Sequence, residues 1–199
     1  MPAPPWQGVK IKVYLRLATQ RLHTLIAKKE NLAKTARRDI ATLIERSKIE
    51  IARIRVEAMI QDDLHIELLE TLELYTELLR TRFPLLENSI NSKGHTLDPR
   101  VKEAVISIVY GADNTEVTEL KFVRESIANI MGRDWVIGVM ENRDNCVSPR
   151  VVGKVVTETP SPTLVDAYLE EIARGYGLSW TSTREAQEPR RPLYPLQRI

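Results

Sequence analysis

The chain has 199 residues, 43% hydrophobic and 28% charged, a globular composition that excludes a disordered or membrane-spanning class. Its net charge of +2 hides a segregation: residues 1–60 carry 13 Lys and Arg against 5 acids, residues 61–90 carry 2 against 7, and the rest 14 against 15. No run nears the roughly 20 apolar residues of a membrane span, the lysine-broken start "MPAPPWQGVKIKVYL" is no secretory signal, and the single Cys146 excludes an internal disulfide and leaves a reducing, cytoplasmic setting as the expectation.

After the proline-rich lead, Gly8 opens a helical pattern. Apolar or small residues fall at Ile11, Leu15, Ala18, Leu22, Leu25, Leu32, Ala36, Ile40 and Leu43, with Lys29 as the one break in the stripe. A continuous helix over 9–45 is about 55 Å long at roughly 1.5 Å per residue. A second pattern follows at Ile54, Ala58, Gln61, His65, Leu68, Leu72, Tyr75 and Leu79, with Ile60 and Leu64 alongside. No glycine or proline separates the two, so the turn near Glu45–Lys48 is tight. The pair forms an αα-hairpin with a coiled-coil-like seam, ending or kinking near Phe83–Pro84.

Asp98 and Pro99 read as N-cap and first residue of a short apolar helix, "RVKEAVISIVYGA". A further helix covers "VTELKFVRESIANIMG" and closes at Gly132, and "RDWVIGVMENRD" continues as a short one. Residues 145–162, "NCVSPRVVGKVVTETPSP", read as an extended surface connection. A last helix, "TLVDAYLEEIARGYGL", follows Pro162 and stops at Gly175. The predicted fold is all-α: a flexible lead over 1–8, one helical domain over 9–180 and a flexible tail over 181–199.

Residues 53–80 pack seven acids and His65 into a run without proline or glycine. A carboxylate-bridged metal bundle needs two Glu-x-x-His pairs; here Asp62 precedes His65 by three, no second pair exists, and His65 falls on the apolar seam of a core histidine. No HExxH, phosphate loop or GxSxG elbow occurs, so neither metal, cofactor nor catalysis is expected. Lys10, Lys12, Arg16, Arg21, Lys28, Lys34, Arg37 and Arg38 populate the polar arc of the first helix. Such an arc draws anionic lipid at about 1 kcal/mol per basic side chain. Nucleic acid is not expected, because no aromatics interleave with the bases.

Asp63, Glu67, Glu70 and Glu77 share one face of the second helix. They can pair with the basic helix of the same hairpin or with a basic surface on a neighbouring copy in a head-to-tail assembly. Val165, Tyr168, Leu169, Ile172 and Tyr176 give the last helix a short apolar face that must dock to be stable. The edge of that docking site is where a partner helix can lie.

The block "RVEAMIQDDLHIELLETLELYTELL" closely resembles the signature of the Increased Sodium Tolerance family, ESCRT-III-like regulators of the multivesicular-body ATPase. "VKIKVYLRLATQRL", "AKKENLAKTARRDIATLI" and, after a Pro-x-Pro, "LVDAYLEEIARGYGL" agree with it in order, so the resemblance covers roughly residues 8–180. It implies two long helices in a hairpin, shorter helices packed along them and a late helix folded back on the hairpin. It also implies a non-catalytic subunit in multivesicular-body sorting, membrane scission and cytokinesis. Such a subunit binds the C-terminal helix of a charged multivesicular body protein, co-assembles with it on endosomal membranes and helps recruit the vacuolar-protein-sorting AAA ATPase.

On this chain the partner groove then involves Leu164, Tyr168, Glu171 and Ile172, and the membrane or filament face involves Lys10, Lys12, Arg16, Arg21, Lys28 and Arg37. Family members contact the ATPase through a leucine-rich helix beyond a proline-rich extension. The stretch "RRPLYPLQRI" is only a weak proline-type motif, so that contact is expected through a tail this sequence lacks. A BAR-like peripheral membrane module, dimeric through its hairpin, is the alternative.

Overall fold

The computed structural model describes residues 6–155 and 158–182. Most of the lead expected over 1–8 and of the tail expected over 181–199 lies outside the described residues. The helices are α1 (Gly8–Glu45), α2 (Ile49–Thr81), α3 (Phe83–Asn91), α4 (Pro99–Gly111), α5 (Thr118–Met131), α6 (Arg133–Met140), α7 (Pro149–Val155) and α8 (Pro162–Gly175). Among the described residues there is no strand, as the all-α reading requires.

Helix α1 runs unbroken through all 38 of its residues. Its buried positions are Ile11, Leu15, Ala18, Leu22, Ile26, Ala33, Ile40, Ala41 and Ile44. From Ile26 onward this stripe departs from the one read in the sequence, and Leu32 is 59% exposed. A helix of 3.6 residues per turn carries the inward face to 26, 33, 40 and 44, whereas following the leucines shifts the face by one residue. The stripe read for the start of α2 is also off the inward face: Ile54 and Ala58 are exposed while Ala52, Val56 and Met59 are buried.

The tight turn between α1 and α2 is a Schellman motif. Lys48 N–H donates to Leu43 O at 2.9 Å, Ser47 N–H donates to Ile44 O at 2.9 Å, and Ser47 takes φ 58°. Glycine is the usual residue there, because a Cβ in the left-handed region costs about 1–2 kcal/mol. Ser47→Gly is therefore expected to stabilise the protein by about 0.5–1 kcal/mol, the relief being partly offset by greater unfolded-state freedom. Urea denaturation of the two proteins measures the difference. Beyond the turn the helices run antiparallel: Asp39 faces Arg55 at 3.8 Å, and His23 faces Glu73 at 3.3 Å.

The chain forms two compact units, Met1–Thr35 with Met59–Glu158, and Ala36–Ala58 with Thr159–Ile199. In the first, α4 is buried nearly all round, from Val101 and Ala104 through Ala112, and serves as the central helix. Asp98 caps it, accepting Arg100 N–H at 2.9 Å, with Pro99 as its first residue. Gly111 lets α4 approach α2, since a Cβ there would stand 3.0 Å from Leu72 Cδ2. Arg124 fastens α5 to the end of α4, donating to Val109 O at 2.9 Å and pairing with Asp113 at 2.9 Å.

Residues 149–155 correct the expectation of an extended connection over 145–162: they form α7. Pro149 at the helix start, the buried Val151 and the bond from Val151 N–H to Ser148 O at 2.9 Å explain it. Two turns of helix leave too few residues for periodicity to reveal. Lys154 then ties α7 to α2, with Nζ 3.3 Å from Glu67 Oε2.

The second unit joins the closed end of the hairpin to α8. Its buried apolar residues are Ile40, Ala41, Ile44, Ala52 and Val56 from the hairpin and Val165, Leu169, Ile172 and Ala173 from α8. An isolated 14-residue helix is marginal in water, whereas burying each large aliphatic side chain contributes about 2 kcal/mol. Docking therefore makes α8 stable. The helix is capped by Ser161, which accepts Leu164 N–H at 3.2 Å, and it ends in a second Schellman motif, with Gly177 at φ 69°. The late helix thus folds back on the hairpin's closed end.

Candidate interaction surfaces

On α1, Lys10, Lys12, Arg16, Arg21 and Lys28 are exposed. At about 100° per residue they do not form one arc. Lys12 and Arg16 fall on one flank of the outward side, and Lys10, Arg21 and Lys28 on the other. Between them lies an apolar ridge that charge counting missed: Val9 is 84% exposed, Val13 52% and Leu17 40%. Their i, i+4, i+8 spacing, out of phase with the buried stripe, was the signal in the sequence.

The bases differ in how they are held. Lys10 Nζ lies 4.5 Å from the Phe122 ring centroid, and Phe122 stacks on Tyr14 at 4.2 Å. Lys12 Nζ lies 6.0 Å from the Phe83 ring. Arg21 is engaged by the buried Glu119 at 3.0 Å. Arg37 is half-buried and belongs to the other unit.

On α2, Glu67 and Glu70 are exposed, and Asp63 and Glu77 are half-buried. Glu67 meets Lys154, and Glu77 pairs with Arg80 one turn on. The Glu70 carboxyl is pushed above the ordinary range by partial burial and by the neighbouring Glu30, Glu67 and Glu73, which mark a concentration of negative charge. Leu74, 56% exposed, sits on this same face among the acids.

His65, the seam histidine, is half-buried. Burial and then the Lys29 ammonium lower its pKa, which favours the neutral ring. Lys29, the break in the apolar stripe, reaches Glu116 at 3.9 Å. Tyr75 on α2 donates to Glu103 on α4 at 2.7 Å, a bond that holds the Glu103 carboxyl below its usual range.

On α8, Glu171 is exposed, Leu164 and Tyr168 are half-buried, and Ile172 is 6% exposed within the unit's core. The sequence reading missed an ion pair in this unit. Asp166, 4% exposed, receives Arg53 Nε at 2.8 Å and Nη2 at 3.4 Å, and Arg53 also meets Glu50 at 2.6 Å. Asp166 raises the Arg53 pKa, as a bidentate carboxylate does. Its place on the inward side of α8, between Val165 and Leu169, was a usable signal: an acid on a buried face requires a cation opposite.

The family described as "Ist1: Regulator of Vps4 activity in the MVB pathway" matches residues 12–179. The chain is 36% identical over 179 residues to vacuolar protein sorting-associated protein IST1 of Saccharomyces cerevisiae, covering 87% of this chain and 59% of that protein. It is 30% identical over 182 residues to an IST1-like protein of Dictyostelium discoideum, covering 89% of this chain and 47% of that one. The chain thus spans about half the length of these relatives. Among solved structures, the S. cerevisiae Ist1 N-terminal domain in complex with a Did2 MIM motif superposes with a TM-score of 0.77 at 32% identity, covering 93% of this chain and all of that one. The long hairpin and late helix of this chain are the ESCRT-III-like arrangement that the family resemblance implies. The chain belongs to the Ist1 family.

Proposed function

We propose that this chain is a non-catalytic, ESCRT-III-related subunit that binds a charged multivesicular body protein through that partner's C-terminal helix. Assembled with it on anionic endosomal membranes from the cytoplasm, the subunit regulates the vacuolar-protein-sorting AAA ATPase in multivesicular-body sorting, membrane scission and cytokinesis. The observation that carries this reading is the likeness over nearly the whole chain to an Ist1 domain crystallised with a Did2 MIM motif. Family membership supports the regulatory role. The exposed ridge of Val9, Val13 and Leu17 between basic flanks supports the membrane contact, because it combines the apolar and cationic elements of an interfacial helix.

The partner helix is assigned to the rim of α8, where Leu164 and Tyr168 offer apolar surface beside the exposed Glu171, with Ile172 beneath them. Exposed Leu74 among the acids of α2 favours a second apolar-and-acidic surface, suited to a basic helix of a neighbouring subunit. Titrating a fluorescent partner helix into wild type, Tyr168→Ala and Leu74→Asp separates the two. A loss of roughly tenfold or more in affinity for Tyr168→Ala alone, the usual size for an aromatic anchor, supports the α8 rim. A loss confined to Leu74→Asp moves the site to α2.

A further inference from the structure

Beyond Gly177 the chain doubles back along α8. Leu178 N–H donates to Ala173 O at 2.8 Å, Ser182 N–H donates to Glu170 Oε1 at 2.6 Å, and the Ser182 hydroxyl donates to Asp166 Oδ2 at 2.9 Å. Ser182 is thereby fastened to the carboxylate that Arg53 holds in the core of this unit. Its hydroxyl can make that bond only as a donor, because an ionised carboxylate only accepts.

We propose that Ser182 is a phosphorylation site, and that its phosphate unfastens residues 178–182 from α8. In the transfer, a protein kinase moves the γ-phosphoryl group of ATP to Ser182 Oγ. The new O–P bond forms as the bond to the β-phosphate oxygen breaks, ADP leaves, and the hydroxyl proton passes to a base of the kinase. The product carries about −1.5 to −2 charge at neutral pH. It sets acceptor oxygens against Asp166, which is 4% exposed, and beside Glu170, where a donor stood before. Like charges in a poorly solvated site repel strongly, and the Oγ–H donor is gone.

The local sequence suits the reaction. Glu185 stands three residues after Ser182, the spacing that acid-directed kinases read, and residues 183–192, "TREAQEPRRP", hold no apolar side chain larger than alanine or proline. The inference uses only this unit's geometry and does not depend on which partner the protein binds.

The test installs phosphoserine at 182 in the full chain and compares hydrogen exchange with the unmodified protein and with Ser182→Ala. Exchange over 176–182 is expected to rise at least about tenfold with phosphoserine, because the phosphate both removes the hydrogen bond to a charged group and adds repulsion from Asp166 and Glu170. Ser182→Ala should raise it less, and α4 should stay unchanged. Equal effects of alanine and phosphoserine, or unchanged or stronger protection with the phosphate drawing Arg53 to itself, would overturn the unfastening. In parallel, the protein is incubated with Mg-ATP and an acid-directed kinase. Phosphate on Ser182, absent in Ser182→Ala and reduced in Glu185→Ala, is expected; no incorporation at Ser182 would overturn the site.

Discussion

Replacing Arg53 by alanine is expected to destabilise the unit that contains α8 by about 3 kcal/mol, the scale for a buried carboxylate stripped of its cation. Asp166 is 4% exposed, so its charge has little solvent to turn to. The reverse change, Asp166→Ala, is expected to cost less, about 1–2 kcal/mol. Arg53 keeps its contact with Glu50, and its side chain is 22% exposed. The asymmetry distinguishes desolvation from simple pairing, which would make the two variants alike. Native-state hydrogen exchange of α8 against urea reads both numbers within the unit, with α4 as reference. The aliphatic face of α8, with Val165, Leu169 and Ile172 buried, supplies most of its docking energy.

The second large effect concerns the N-terminal part of α1. Replacing Lys10, Lys12, Arg16 and Arg21 together by glutamate is expected to abolish sedimentation with phosphatidylserine-containing liposomes near 0.1 M salt. Each basic side chain contributes about 1 kcal/mol at such a surface, so removing four weakens binding by roughly a thousandfold before the added repulsion is counted. Arg21 also neutralises the buried Glu119, so a triple variant that spares it guards against a folding defect. Val9, Val13 and Leu17 changed together to serine keep every charge. That variant is expected to lose roughly tenfold in binding, the scale of a few partly buried methyl groups. Sedimentation unchanged in the charge variant would remove lipid from the role of this face.

Helix periodicity, the Asp98–Pro99 start and the glycine at the end of α5 made most of the fold legible in the chain itself. Legibility failed where the signal was shorter than the rule that reads it. Helix α7 has seven residues and rests on Pro149 and one buried valine. In α1 Leu32 lies one residue off the inward stripe, and in α2 Ile54 falls midway between the buried Ala52 and Val56, because a large side chain does not by itself mark the helical phase. Surfaces were read less well than elements. The bases of α1 were visible in the sequence, but their separation into two flanks around Val9, Val13 and Leu17 needed knowledge of which side is buried. The Arg53–Asp166 pair spans 113 positions, and no local pattern links residues so far apart. Block-level resemblance read the family correctly because it samples many positions at once, buried and exposed alike.

The proposed function requires this chain to capture the helix of a charged multivesicular body protein. Its most direct test is a binding isotherm of the purified chain with the isolated C-terminal helix of that partner, with the chain's own mass followed by light scattering. Saturable one-to-one binding to the chain is expected. No saturable binding, together with a stable dimer formed through the hairpin, would contradict it and favour a BAR-like membrane module.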